Sequence, residues 1–330
     1  MGIATRLLRF VLTVVGAVVG FALGWYLFRR LPETAFGTLD VLLIVVTTAL
    51  VAQLGGRIAT AALPEYNVAE VAVEGAITRD GGGTFPRGPM GTTADEIVEQ
   101  IDRADEDDAV DALLVRLNTP GGEVVPSDDI RLAAERFDGP TVAYSTDVCA
   151  SGGYWIASGC DELWARDGTL VGSIGVRLGA LNVKELGDRL GVSYDELTAG
   201  AYKDAGSPFS EFTEADREYL QGLVDQWYDE FVDVVADGRE LDAATVRETE
   251  ARVYLGKEAL DLGLVDDLGT RTAVEERVES LLDESVTVEE FRPHRGLRSR
   301  LQAGATQVAY AVGAGFGSVV GGDEDVKLRL

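Results

Sequence analysis

Residues 147–158 read "DVCASGGYWIAS", a serine followed by two glycines and then by an apolar run. If a helix opens at Ser151, its first N–H groups have no intrahelical partner and point off its end. Gly152 and Gly153 would let a substrate backbone come close. The Ser151 hydroxyl would then stand beside ready-made oxyanion donors, chiefly the N–H of Gly152. A plain serine N-cap has the same signature, so this stretch alone does not separate a cap from a nucleophile. A second glycine pair lies in "RLNTPGGEV", where Gly121 and Gly122 follow the strand-like "DALLVRL". Adjacent parallel strands line one crevice with their carboxyl ends, so both pairs can face it and the turn can supply a second donor. An ordinary Pro-Gly turn fits the same residues.

A nucleophilic serine needs a base. The chain has one histidine, His294 in "FRPHRGLRSR", so neither a Ser-His-Asp triad nor a histidine-rich zinc site is expected. Lysine or a carboxylate is left. Lys203 stands in "TAGAYKDAGSPF", a segment rich in Gly and Ala beside Pro208 and Phe209. Loss of hydration there would drive its pKa down toward the range of a general base. Moving from ~10.4 to ~7–8 costs roughly 4 kcal/mol, which the fold must supply. A solvated surface lysine is the plainer reading. Yet the chain has only Lys184, Lys203, Lys257 and Lys327, and uses arginine, which cannot deprotonate, almost everywhere else. Cys149 is a rival nucleophile with no histidine partner, and small cysteines beside strands are ordinarily structural.

The 330 residues include 56 acidic and 29 basic ones, for a formal net charge of -27. Phosphate binding needs a basic face, so nucleic acid is not an expected partner. An acidic, lysine-poor surface suits a protein kept soluble in concentrated salt, as in a halophilic archaeon. Self-repulsion would be screened within ~3 Å at molar salt. Two cysteines, Cys149 and Cys160, do not make a disulfide framework.

These candidates must be positioned by the elements around them. Residues 10–28, "FVLTVVGAVVGFALGWYLF", are uncharged and near the ~20 needed to cross a bilayer. Trp25 and Tyr26 sit where an aromatic belt belongs, and Arg29 and Arg30 follow. A cleaved signal peptide would have a shorter apolar core of ~7–15 residues. A second apolar stretch starts at Val41; it spans if its helix continues to about residue 62 with Arg57 snorkelling, or it is re-entrant. The expectation is a membrane anchor over residues 1–64, with helices at about 10–28 and 41–62, and a multi-pass cell-membrane location. The arginine balance leans toward a cytoplasmic main domain without deciding it.

Residues 65–291 read as a soluble α/β domain. "VAEVAVEGAI", "DALLVRL" and "PTVAYS" are strand-like, the last ending near Ser145. Between them "TADEIVEQIDRA" has Thr93 and Glu96 at capping-box spacing, and "SDDIRLAAERF" offers Ser127 as an N-cap. Strand-helix alternation at this spacing predicts a parallel sheet with flanking helices. A long amphipathic helix is expected over residues 213–236. The loop "TRDGGGTFPRGPMGTT" reads as a mobile segment or a lid. The tail, residues 292–330, reads as a membrane-surface or partner-docking helix, or as disordered.

The ordered set "NTPGG", "ASGGYWIAS", "GSIGV", "YKDAGSPF", "TEADRE", "VADGR" and "LGKEALDLGLVDDLG" resembles the signal peptide peptidase A (SppA) family of Ser-Lys proteases, in its short, single-copy form. The likeness runs from about Val68 to Thr270. It implies a fold related to ClpP and the crotonases, Ser151 as nucleophile and Lys203 as general base. It also implies Ser173 of "GSIGV" within reach of the lysine, and an oxyanion hole from Gly152 and the turn, Gly122 preferred to Gly121. Short members of the family form ring-like oligomers in which a neighbouring protomer can supply the lysine. The implied substrates are membrane-derived peptides such as cleaved signal peptides, hydrolysed with no metal or cofactor. Two N-terminal spans depart from the commoner single anchor. A stomatin-partner-type membrane Ser-Lys protease, a crotonase-like acyl-CoA enzyme and a membrane scaffold are the competing readings.

Overall fold

The computed structural model describes residues 3–30, 37–79 and 93–293. The expected tail from residue 294 onward and most of the glycine-rich loop, residues 80–92, lie outside the described residues. The chain opens with α1 (Ile3–Trp25), a π-helical turn (Tyr26–Arg30) and α2 (Thr38–Ala62). Residues 7–30 and 38–59 are each long and apolar enough to cross a membrane, and most of their surface is exposed. The two helices pack tightly on each other. A Cβ on Gly20 would lie 2.8 Å from the Val51 Cβ and 3.0 Å from the Thr48 Cα, so only glycine admits this approach. The hydroxyls of Thr47 and Thr48 donate to carbonyls one turn back, so these two donors are satisfied within their own helix. Arg9 donates through Nε to the Leu63 carbonyl at 2.9 Å and pairs with Glu65, tying the start of the hairpin to its end.

The remaining elements alternate. In order they are β1 (Val68–Glu74), α3 (Ala94–Asp105), β2 (Ala112–Thr119), α4 (Val124–Glu135), β3 (Thr141–Ala150), α5 (Gly152–Ala157), β4 (Glu162–Ala165) and β5 (Leu170–Gly172). Then follow α6 (Lys184–Leu190), α7 (Glu214–Gly238), α8 (Ala243–Glu248), β6 (Val253–Leu255), α9 (Gly256–Asp261), β7 (Asp267–Leu268), α10 (Arg271–Leu282) and β8 (Val288–Glu290). The strands lie in the order β6-β5-β3-β2-β1-β8, with β4 pairing β3 and β7. All pairings are parallel except β5 with β6, so the expected α/β fold with a parallel sheet and flanking helices is present.

The period-two alternation of β1 and β2 divides their side chains between two cores. Val71, Val73, Leu113, Val115 and Leu117 face the α3, α4, α5 side. Val68, Ala112 and Leu114 face Val274 and Val278 of α10. That second face also holds the nearly buried Glu70, whose charge is met by Arg116 at 3.0 Å and by Arg271.

Several boundaries differ from the sequence reading for local reasons. Thr93 caps α3 in the expected box with Glu96. Ser127, expected as an N-cap, lies inside α4; Glu123 is the cap, and Ser127 Oγ donates to its carbonyl at 2.8 Å. Pro126 fits in that first turn because no intrahelical N–H bond is lost there. The third strand does not end near Ser145. It runs to Ala150, because Val148–Ala150 pair with Leu170–Gly172 of β5 after the polar "STD" interruption. α7 begins after Thr213 as expected, but only Phe231, Val232 and Val235 are buried, while Tyr219 and Trp227 stay exposed.

α5 is buried on every side, and Tyr154 within it donates its hydroxyl to the Leu264 carbonyl at 2.7 Å. Tyr154→Phe strands that carbonyl in the core. The expected cost is about 1–3 kcal/mol of unfolding free energy, read as a lower denaturation midpoint at unchanged m-value.

Candidate active site

Ser151 joins β3 to α5 with φ 54 and ψ -121, a conformation that a non-glycine residue holds only under constraint. Its N–H donates to the Gly172 carbonyl at 2.9 Å, and its carbonyl accepts from the Trp155 N–H at 2.9 Å. Its side chain makes no capping bond. The backbone is therefore pinned while the hydroxyl is not used for structure, which removes the plain N-cap reading.

The Pro120-Gly121-Gly122 turn is wedged against this corner. Gly121 has φ +89, and a Cβ there would stand 2.5 Å from the Gly152 nitrogen and 2.8 Å from the Ser151 Cβ. A Cβ on Gly122 would lie 1.9 Å from the Ile77 carbonyl oxygen, so both glycines are required by space. The Gly121 N–H is already engaged, donating to Thr119 Oγ1 at 3.0 Å. The N–H groups of Gly122 and Gly152 donate to nothing among the described residues. They are neighbours, since a Cβ built on Gly152 would be 3.1 Å from the Gly122 nitrogen.

Ser151, Gly152, Gly121, Gly122 and Ser173 line one cleft of about 890 Å³. Trp155, Val224, Tyr228 and Phe231 give it an apolar wall. Trp155 is set by its indole N–H on Asp128 at 2.9 Å and by its packing on Phe231, ring centres 4.7 Å apart. Six described non-glycine residues have positive φ, and four of them, Ser151, Ser173, Glu250 and Ala251, line this cleft. Strain is concentrated where the candidate chemistry is. Ser173 is fixed by its N–H on the Arg252 carbonyl at 2.8 Å.

Lys203 is not brought to the cleft within one chain. It lies exposed in a turn of the segment 174–213, its N–H on the Gly200 carbonyl at 3.2 Å. Sequence reasoning missed the cleft wall from α7 and the corner Glu250–Ala251. No local signal marks them, since they reach the cleft only through the fold. Cys149 is fully buried, and burial pushes its thiol far above the ordinary range. Burial likewise pushes Cys160 up to about 12. A thiol so held is a poor nucleophile near neutral pH. Among the described residues no three His, Cys, Asp or Glu side chains stand where they could hold a metal ion.

Comparison with known proteins adds identity to this geometry. Residues 134–285 match the family model of peptidase family S49. A candidate protease of Methanocaldococcus jannaschii is 32% identical over 257 residues, covering 76% of this chain and 80% of the relative. A candidate protease of Synechocystis sp. is 38% identical over 203 residues, covering 60% and 73%. A candidate signal peptide peptidase of Enterococcus faecium is 37% identical over 174 residues, covering 52% and 51%. The fold and these matches define a serine peptidase on a ClpP-like α/β fold. The chain belongs to peptidase family S49.

Both thiols should stay silent in the native protein. At pH 7.5, a value set by the experimenter at about one unit below an ordinary thiol pKa, iodoacetamide should label neither Cys149 nor Cys160 until denaturant is added. Rapid native labelling of Cys149 would reopen it as a nucleophile.

Proposed function

We propose that this chain is a membrane-anchored endopeptidase in which Ser151 attacks the peptide carbonyl and Lys203 of a neighbouring copy is the general base. The observation that carries the reading is the pinned Ser151 corner with two uncommitted N–H groups, Gly122 and Gly152, beside it. Neutral Lys203 accepts the Ser151 proton as the hydroxyl adds to the carbonyl. The oxyanion is held by the N–H groups of Gly122 and Gly152, and the lysinium protonates the leaving amine. Water, again deprotonated by Lys203, releases the acyl group. Ser173, in the same cleft, orients the incoming amine. Gly121 contributes shape rather than a donor, because its own N–H is taken.

A second protomer is needed because the base is elsewhere. The segment 174–213 that carries Lys203 exposes large apolar side chains, among them Leu181 at 77%, Leu186, Leu190, Leu197 and Phe209. Such a surface is unfavourable in water and marks a protein contact. The exposed half of α7, with Tyr219 and Trp227, extends it. Assembly in a ring would cover both and deliver each lysine to the next Ser151.

The anchor comprises residues 1–64 as two spans, the peptidase domain residues 65–291, and the tail residues 292–330. A hairpin anchor puts the N-terminus and the peptidase domain on one face, consistent with Arg9 meeting Leu63 and Glu65. It also holds the cleft near the bilayer, where peptides shed from the membrane, such as cleaved signal peptides, collect. The apolar cleft wall suits their side chains. The charge of -27 fits operation in concentrated salt.

Ser151→Ala and Lys203→Ala should each be inactive as assembled oligomers. Dissociated and reassembled together at equal amounts, they should regain about a quarter of wild-type activity, the share of sites pairing an intact serine with an intact lysine. No recovery from a mixture shown to exchange subunits would place the lysine in its own protomer.

A further inference from the structure

We propose that Thr119 is the positioning residue of the oxyanion hole, holding the turn so that the Gly122 N–H faces the Ser151 cleft. This inference rests on the Ser151 reading above. Thr119 ends β2 and is fully buried. Its hydroxyl donates to the Gly75 carbonyl at 2.5 Å and accepts from the Gly121 N–H at 3.0 Å. One side chain thus ties the exit of β1 to the glycine turn.

The consequence follows from peptide geometry. A trans peptide points its C=O and N–H in opposite directions. The Gly121 carbonyl accepts from the Ile77 N–H at 3.1 Å, and the Ile77 carbonyl accepts from the Glu123 N–H at 2.9 Å. The peptide between Gly121 and Gly122 therefore turns its N–H away from Ile77, toward Gly152 and the cleft. Among the described residues, the N–H of the preceding peptide, between Pro120 and Gly121, is fixed by Thr119 alone. Glycine at φ +89 has wide freedom to rotate, so this second tether is what keeps two consecutive peptide planes in one arrangement. Without the hydroxyl, a buried N–H and the Gly75 carbonyl both lose a partner, and the turn relaxes by rotating these planes. The Gly122 N–H then no longer meets the oxyanion. The Thr119 methyl has a separate role: Gly153 lacks a Cβ because one would lie 2.6 Å from Thr119 Cγ2.

Thr119 touches no reacting atom, so its signature is a loss in kcat with substrate binding retained. The test uses full-length protein in detergent and molar salt, a quenched fluorogenic peptide cut by the wild type, and the peptide aldehyde acetyl-Leu-Leu-norleucinal as a tetrahedral-adduct former. Thr119→Val keeps the shape and removes the hydroxyl. It should lower kcat by about tenfold or more, with KM within about twofold, since loss of a whole oxyanion donor costs roughly 10²–10³. Aldehyde inhibition should weaken in parallel with kcat, and Thr119→Ser should restore most of the rate. Should Thr119→Val fail to assemble, Thr119→Ser and Thr119→Ala, which both lack the methyl, form the comparison; serine should be active and alanine about tenfold slower. Wild-type kcat in Thr119→Val, a loss confined to KM, or equal rates for serine and alanine would overturn the proposal. Turnover that persists in Ser151→Ala would instead remove the reading beneath it.

Discussion

The structure depends on one constraint, the backbone of Ser151 at φ 54 and ψ -121 between a strand and a buried helix. Such a residue costs of order 1–3 kcal/mol and persists only when its surroundings over-determine it. Here they do. The Gly172 carbonyl takes its N–H, Trp155 takes its carbonyl, and Gly121 fits against its Cβ with no room for a side chain. α5 then carries the strain into the core through Tyr154, Trp155 and Ile156, all buried. Arg239 holds the far end of the same helix, with its side chain buried, donating to the Ala157 carbonyl and pairing with Asp266 at 2.7 Å. The Ser151 corner is fixed at both ends of a short element, and its hydroxyl makes no capping bond.

The same logic bears on the proposed need for a second copy. The proposed oxyanion donors are made from a strand end and a glycine turn whose backbones leave no room for a Cβ. The proposed base, Lys203, stands exposed in the segment 174–213, most of whose residues are exposed or half-buried. A rigid half-site and an exposed half-site joined by assembly would keep proteolysis confined to the oligomer. The hairpin of α1 and α2 is tied to the residues after it, because Arg9 bonds the Leu63 carbonyl and pairs with Glu65.

Much of this was legible in the sequence where short-range rules apply. Thr93 and Glu96 formed the capping box that their spacing predicts, and the long helix begins after Thr213 where the pattern placed it. Gly121, Gly122 and Gly152 line one cleft because parallel strands deliver their carboxyl ends to one side, while Gly153 packs against Thr119 instead. What the sequence hid was long-range. β3 continues past Ser145 only because β5 pairs with it, and "STD" gives no apolar signal of that. Ser127 looked like a cap, yet the helix begins four residues earlier, where Pro126 is harmless. Lys203 was legible as an unusual residue, but its distance from the cleft could not be read from spacing. Thr119 drew no reading of its own inside "NTPGG"; its part in the glycine turn is visible only through its bonds to Gly75 and Gly121.

The most direct measurement is activity-based labelling with a fluorophosphonate, the adduct mapped by mass spectrometry in wild type and in Lys203→Ala, each as an intact oligomer. The account predicts an adduct on Ser151 in wild type and its near absence without Lys203. Labelling of another residue, or undiminished labelling of Ser151 in the Lys203→Ala oligomer, would contradict it.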